Sequence, residues 1–362
     1  MNGANEFDRA MMRRCIQLAR QGEGKTSPNP LVGCVIVQDE MIVGEGFHPK
    51  AGEPHAEVFA LAQAGEKARD ADLYVNLEPC NHFGRTPPCT EAIIKAGIKK
   101  VFVGSIDPNP LVSGKGIHRL QSAGIETVVS IEEHLSKELN EGFIHRILYE
   151  QPFGILKYAM TLDGKIATTT GHSAWVTSEA SRHLVHELRA GCDAIIVGGS
   201  TVRQDNPHLT SHGVSDHNPL RVVMSRHLDL PLEAHLWETT KVQTIVFTET
   251  KTNVKLKQQL LKHDVEVIDL AEVTPSLVMN NLYERGFCKV LWECGGKLAA
   301  RAVAEGAVQK VMAFIAPKII GGKSAPSPVG DLGLQLMTEA IPLERVSVKY
   351  LDPDVLIEGY ID

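Results

Sequence analysis

Apolar positions along the first part of the chain follow two alternating rhythms. Over 7–20 they recur at three and four residues, the spacing that lines one face of a helix, and the repeat stops at Gly22 and Gly24. Short apolar runs at 31–37 and 41–47, joined by Gln38, Asp39 and Glu40, predict a hairpin. A helix is expected over 55–64, then a strand over 72–77 that runs into Glu78, Pro79 and Cys80. A helix over 90–96 closed by Gly97, a strand over 100–106 and a long helix over 132–149 complete the series, which Glu150, Gln151 and Pro152 break. A second series opens at 153–156. Its strand candidates are 194–197, 220–224, 242–247, 265–268, 289–292 and 311–315, separated by helical stretches at 181–189, 254–262, 275–285 and 297–305. Strands alternating with helices predict a largely parallel sheet covered on both faces.

Length agrees with the break: 362 residues exceed a usual single core, so two domains are expected, 1–150 and 151–362. An apolar content of 43% and a charged content of 22% are those of an ordinary globular chain. The formal charge of −7 argues against a nucleic-acid partner, and no apolar run is long enough to predict a membrane span. The polar first residues contain no secretory signal. Seven scattered cysteines do not form a disulfide framework, so a reducing cytoplasm is expected, with Cys34, Cys192 and Cys288 as small core hydrophobes.

The most specific chemistry lies in the first half. His55-Ala56-Glu57 precedes Pro79-Cys80, and Cys89 follows. One imidazole and two thiolates fill three corners of a tetrahedral zinc and leave the fourth open. A zinc so bound lowers the pKa of water toward ~7. Glu57, two residues from a ligand, is placed to move protons there, as in zinc deaminases that act on amino-pyrimidines and purines. A purely structural zinc would need a fourth protein ligand, for which His82 and His48 are the candidates. His55 and Glu57 are expected near the start of one helix and both cysteines at the start of another, where the helix dipole favours thiolate. Eight residues separate the cysteines here, not the two of the common signature.

These segments, with Pro28-Asn29-Pro30-Leu31-Val32-Gly33, the run from Leu77 to Cys89, Asp107-Pro108-Asn109-Pro110 and Gly114-Lys115-Gly116, resemble the deaminase half of the bacterial RibD family of riboflavin-biosynthesis proteins. The resemblance implies a cytidine-deaminase-like three-layer α/β/α domain and a phosphoribosylamino-pyrimidine substrate. It also implies Asn29 and His48 at the base, and His82, Arg85, Asp107, Asn109 and Lys115 toward the ribose phosphate.

In the second half, Gly198-Gly199 and Gly295-Gly296 each follow an apolar strand, the setting in which backbone amides receive a pyrophosphate, though neither is a full dinucleotide fingerprint. The stretch from Leu156 to Ala167, the run from Ser173 to Thr177, the run from Ser200 to Pro207 and the segment from Glu293 to Leu298 resemble the reductase domain of the same family, which is related to dihydrofolate reductase. That implies a second α/β domain, with NADPH held by Ala159, Trp175, Thr201, Asp205, Gly295, Gly296, Lys297 and Leu298. Substrate would meet Ser173, Arg189, Leu209 and Glu293, and Lys157 would neutralise the charge that develops on hydride addition. Three residues after Leu209 the family carries a phosphate-binding Arg, whereas this chain has His212, which leaves Arg189 or Arg203 as replacements. The expected protein is a zinc- and NADPH-dependent bifunctional enzyme and a homo-oligomer. The alternatives are a deaminase with a non-catalytic second half and a base-editing deaminase acting on nucleic acid.

Overall fold

A computed structural model describes residues 5–83, 87–110, 112–250 and 253–361. The chain divides into two compact units, Met1–Glu150 and Gln151–Asp362. The first contains α1 (Glu6–Ala19), β1 (Gly33–Gln38), β2 (Met41–Phe47), α2 (Ala56–Ala64), β3 (Asp72–Leu77), α3 (Cys89–Ala96), β4 (Lys100–Ser105), α4 (Lys115–Ser122), β5 (Glu126–Val129), α5 (Glu133–Leu139) and α6 (Glu141–Tyr149). Its sheet runs β2-β1-β3-β4-β5, with β1 antiparallel to both neighbours and β3, β4 and β5 parallel.

Alternation along the strands sends side chains to two cores. Cys34, Ile36, Leu73, Val75 and Val101 pack with Ala60, Ile93 and Leu120 from α2, α3 and α4. On the other face, Val35, Val37, Tyr74 and Phe102 pack with Met12, Cys15 and Leu18 of α1. The result is the three-layer α/β/α arrangement. Helix α2 lies unusually close to β2. A Cβ at Gly44 would fall 2.2 Å from the Ala60 carbonyl oxygen, and one at Gly46 would fall 2.4 Å from that of Ala56. Glycines on the strand and alanines on the helix are what allow the contact.

The second unit contains β6 (Phe153–Thr161), α7 (Glu179–Ala190), β7 (Ala194–Gly198), α8 (Gly199–Asp205), β8 (Leu220–Met224), β9 (Thr244–Glu249), α9 (Val254–Lys262), β10 (Glu266–Leu270), α10 (Pro275–Glu284), β11 (Lys289–Trp292), α11 (Gly296–Ala304), β12 (Lys310–Ala316), β13 (Glu344–Leu351) and β14 (Asp354–Tyr360). The strand order is β10-β9-β8-β7-β11-β6-β12-β14-β13, parallel from β10 through β12. Val185 of α7 and Leu256 and Leu260 of α9 cover one face, while Met279 and Leu282 of α10 and Ala299 and Ala302 of α11 cover the other.

Several expectations are corrected. The terminal strands β14 and β13 form an antiparallel hairpin on β12 that periodicity did not reveal. Short helix α8 after Gly198, helix α4 and strand β5 were not among the expected elements. The single helix expected over 132–149 is two, divided at Asn140. That side chain is 2% exposed, and its amide accepts from Leu31 N at 2.8 Å and donates to Leu31 O at 2.9 Å, so the helix yields to a partner elsewhere in the chain. Asn76 donates to the same carbonyl at 2.9 Å and accepts from Gly33 N at 2.7 Å, which fixes the approach to β1.

Asn140→Ala strands the buried Leu31 N–H, while Leu31 O keeps Asn76. We expect a stability loss of about 1–3 kcal/mol, read as a lower urea midpoint for the first unit. An unchanged midpoint would show that the amide pair carries no net energy.

Candidate active sites

Residue His55 is the N-cap of α2, in extended conformation, and Glu57 lies in the first turn. Cys89 opens α3. Cys80, expected at that helix start, instead lies in the loop after β3, and its Sγ accepts the Cys89 N–H at 3.3 Å. The helix terminus therefore reaches both sulfurs, one by sequence and one by hydrogen bond. His55 Nδ1 lies 3.3 Å from Cys89 Sγ and 3.5 Å from Cys80 Sγ, and one donor atom from each residue lies within 4.8 Å of the other two. A tetrahedral zinc with Zn–N of ~2.0 Å and Zn–S of ~2.3 Å has N···S edges of about 3.5 Å. The donor set fits the ion.

No fourth protein donor joins this group among the described residues. His48, one of the two candidates, has both ring nitrogens engaged. Nδ1 donates to Pro54 O at 3.0 Å, which leaves Nε2 to accept from Asn29 Nδ2 at 3.1 Å. Burial also pushes His48 down. Its ring meets that of His55 edge-on, with centroids 5.4 Å apart, so Asn29 and His48 do line the neighbourhood of the ligands. The other candidate, His82, is exposed. Glu57 is 3% exposed, and its Oε2 has no hydrogen-bond partner among the described residues. An acid oxygen is rarely left so in a folded core; a water on the metal's open corner is the group that would satisfy it. Burial, with Cys80 nearby, pushes the Glu57 carboxyl up. Hydrogen bonds from Cys89 and His55 pull the Cys80 thiol down against the effect of burial.

The mouth of this site is organised by Glu78, which sequence reasoning passed over. Its buried carboxylate accepts four backbone N–H groups: Asp107 at 3.3 Å, Gly114 at 2.9 Å, Gly116 at 2.9 Å and Ile117 at 3.3 Å. Through it, the loop that carries Asp107 and Asn109 and the start of α4 at Lys115 are tied to the residue two before Cys80. Asp107 accepts from Asn109 N at 2.8 Å. Lys115 lines a shallow cavity of about 600 Å³ with Asn81, His118 and Arg119. Arg85 lies outside the described residues.

In the second unit a cavity of about 1330 Å³ opens at the C-terminal ends of β6, β7, β8 and β11. The chain passes from β6 to β7 and on to β8, leaving a gap in the sheet that β11 later fills. Such switch points open a ligand crevice at the carboxyl edge. The cavity exceeds the usual ~300–1,000 Å³ of a single-ligand pocket, which suits a dinucleotide together with a substrate. Gly295 caps α11 in an extended conformation, and a Cβ there would meet nothing within 4 Å, so the bare backbone faces open space, as a pyrophosphate cradle requires.

Deep in this crevice Glu293 accepts from Arg189 Nε at 2.6 Å and from its second nitrogen at 3.0 Å, while Lys157 Nζ lies 3.4 Å from Oε2. All three side chains are mostly buried. Burial pushes the Glu293 carboxyl up, but Arg189 and Lys157 outweigh it and hold it at about 2. Lys157 is on β6, between β11 and β12, so it is an interior cation and not one on an edge strand. Ser173 Oγ donates to Asp205 at 3.0 Å. Trp175 is 70% exposed at φ +61°, held by Lys318 Nζ on its carbonyl at 2.7 Å, with the Arg182 guanidinium 4.5 Å from its ring centroid.

Residues 152–357 match the family described as the RibD C-terminal domain, and residues 5–105 match the cytidine and deoxycytidylate deaminase zinc-binding region. The riboflavin biosynthesis protein RibD of Synechocystis is 60% identical over 354 residues, covering 98% of this chain and 96% of that one. The chain belongs to the RibD family. The Aquifex aeolicus member is 44% identical over 97% of this chain and 98% of its own. Among solved structures, Acinetobacter baumannii RibD superposes with a TM-score of 0.88 at 38% identity, each chain 99% covered. A Thermotoga maritima protein described as a diaminohydroxyphosphoribosylaminopyrimidine deaminase/5-amino-6-(5-phosphoribosylamino)uracil reductase superposes at 0.88 with 37% identity, again over 99% of each chain.

Against the RibD family expectation, Lys157, Ala159, Ser173, Trp175, Arg189, Thr201, Asp205, Leu209 and 293–298 all line the one cavity. Leu209 does so only at its edge, since it is 3% exposed and packed in the core with Val185 and Val202. Neither proposed replacement for the missing Arg is free. Arg189 is committed to Glu293, and Arg203 pairs with Asp229 at 2.9 Å. What stands beside His212 is His186 of α7, which the sequence did not single out.

Glu293→Gln leaves two buried cations around a neutral amide. The Glu293 stabilisation is complete above the unfolded carboxyl value of ~4.3 and is lost as pH falls through about 2. The variant is therefore expected to be less stable at pH 7 by about 3 kcal/mol, with the gap to the wild type closing on acidification through that window. Thermal unfolding at pH 7 and near pH 3 checks this; a gap that ignores pH would refute the ion-pair account.

Proposed function

We propose that this chain is a bifunctional enzyme of riboflavin biosynthesis, in which 1–150 deaminates 2,5-diamino-6-(5-phosphoribosylamino)pyrimidin-4-one and 151–362 reduces the ribosyl group of the product to ribityl with NADPH. The observation that carries the first activity is the three-donor set His55, Cys80 and Cys89 beside a buried, unpartnered acid oxygen on Glu57. Zinc held there acts as a Lewis acid that makes water nucleophilic near neutral pH. Glu57 accepts the proton of the attacking water, delivers it to the ring nitrogen, and in the collapse passes a proton to the amine, which leaves as ammonia. Asn29 and His48, fixed to each other, orient the base. Asp107, Asn109 and Lys115 face the sugar phosphate from the segments that Glu78 holds, together with His82.

In the second half, Ala159, Trp175, Thr201, Asp205 and 295–298 hold NADPH, which supplies the hydride. Ser173, Arg189, Leu209 and Glu293 position the substrate. Lys157 places its ammonium where negative charge develops; its pairing with Glu293 fixes that position. Product of the first reaction is substrate of the second, which gives the fusion its chemical sense. No described helix is long and apolar enough to cross a membrane, and the −7 charge disfavours a nucleic-acid substrate. A reducing cytoplasm suits thiolate ligands.

Assembly into a homo-oligomer belongs to the same proposal. Alternate residues of β13 present Val346, Val348 and Tyr350 on one face, each more than half exposed, a patch suited to a second copy. Val348→Asp is expected to yield a smaller species in analytical ultracentrifugation; an unchanged mass moves the interface elsewhere.

With the phosphoribosylamino-pyrimidine supplied, ammonia release and NADPH oxidation should both be observed. Glu57→Gln should keep its zinc and lose ammonia release by at least ~10²-fold, while NADPH oxidation on the pre-deaminated substrate persists. Ammonia without NADPH oxidation in the wild type would overturn the bifunctional assignment.

A further inference from the structure

Trp175 combines a largely exposed indole with a left-handed backbone at φ +61°, a region that bulky side chains seldom enter. Such a conformation persists where the surroundings impose it. Here they do so through the carbonyls of Trp175, Val176 and Thr177, each of which accepts from a cation. Lys318 Nζ donates to Trp175 O at 2.7 Å and to Val176 O at 2.8 Å, and Arg182 of α7 donates to Thr177 O at 2.8 Å. Ser178, the next residue, caps α7 and gives its N–H to the buried Asp354 carboxylate at 2.7 Å. The backbone is thus fixed from 175 to 178 while the ring projects, with the Arg182 guanidinium against its face.

Lys318 is itself anchored. Its carbonyl accepts from Leu162 N at 2.9 Å, and the Asp163 carboxylate accepts from Ile320 N at 3.3 Å and Gly321 N at 2.8 Å. Asp163, in the 156–167 stretch, therefore ties the end of β6 to the segment that follows β12. That segment continues to the glycine turn before α11. Ile166 N donates to Pro326 O at 3.0 Å, Gly330 N donates to Gly296 O at 2.9 Å, and a Cβ on Gly296 would fall 2.5 Å from Ser327 O. Residues 318–330 accordingly brace both walls assigned to NADPH, Trp175 on one side and 295–298 on the other. Lys318 does not line the cavity, whereas Trp175, Val176 and Thr177 do.

We propose that Lys318 is a positioning residue for the nicotinamide cofactor: by holding the carbonyls of Trp175 and Val176, its ammonium keeps the indole in place as a wall of the site before NADPH arrives. The inference rests on the reductase assignment above. An ammonium carries three donors on a flexible stem, so one side chain serves both carbonyls from outside the cavity. Without it the turn relaxes from its left-handed conformation, and ordering it again becomes part of the cost of binding. The wall is the same before and during hydride transfer, so the loss falls on KM for NADPH and not on kcat.

Two measurements on the full chain test this. The other two tryptophans, Trp237 and Trp292, are 3% and 0% exposed, so fast local motion in the tryptophan anisotropy decay of the cofactor-free protein reports Trp175, and Trp175→Phe should remove that component. Lys318→Met, which keeps the apolar stem and deletes the ammonium, should enlarge it, and Lys318→Arg should restore the wild-type decay. In steady-state NADPH oxidation, Lys318→Met should raise KM for NADPH about tenfold (about 1.4 kcal/mol) with a much smaller change in kcat, and Lys318→Arg should recover most of the loss. A retained kcat also shows that the second unit is folded. An anisotropy decay that Lys318→Met leaves unaltered, or a KM that stays at the wild-type value, overturns the proposal. So does a fall in kcat as large as the rise in KM, which marks a general structural role. If the wild type neither binds nor oxidises NADPH, the reductase assignment fails and the cofactor role with it, while the anisotropy decay still decides whether Lys318 holds Trp175.

Discussion

A carboxylate taken out of water must be compensated or it becomes neutral, and the chemistry of this chain is arranged around three that are compensated in different ways. Glu78 is met by four backbone amides, which makes it a fastener for the loop over the first site. Glu293 is met by a guanidinium and an ammonium, which fixes both cations in the second site. Glu57 is met by no described residue on one oxygen. The first two are therefore held rigidly, while the third keeps an oxygen in reserve for a proton. The same residue type serves as scaffold twice and as reactant once, and its surroundings decide which.

Backbone proximity supports the reactant role. With glycines on β2 and alanines on α2, little but peptide and methyl groups separates helix from sheet. His55 and Glu57 are carried by the first turn of that helix, so their separation is set by helix geometry and not by long side chains. In the second unit the equivalent economy is topological. The crevice exists because β11 enters between β7 and β6, and the strands and the turns that follow them line it.

Local features were legible in the sequence, and distant ones were not. His55, Glu57, Cys80 and Cys89 could be read because their residue types are specific and their spacings short. The core alternation of β1, β3 and β4 was equally plain. The break at Asn140 was invisible because the periodicity of 132–149 continues through it; what interrupts the helix is Leu31, 109 residues away. Strand β13 has exposed residues on both faces, so it lacks the one-sided pattern that marks a strand. Glu78 looked like an ordinary neighbour of Pro79, since backbone amides leave no trace in residue identity. His212 could be recognised as a departure, but its partner on α7 could not, because stacking depends on where a helix and a turn meet.

Glu78 also has a bearing on how the protein is assembled. The carboxylate lies two residues before a zinc ligand and closes on amides as far as 39 residues ahead, so the floor and the rim of the first site share one fastener. A change at Glu78 would therefore disturb the position of Cys80 and the segments at Asp107 and 114–117 together. One side chain thereby couples the ligand loop to the substrate entrance, so neither can shift without the other.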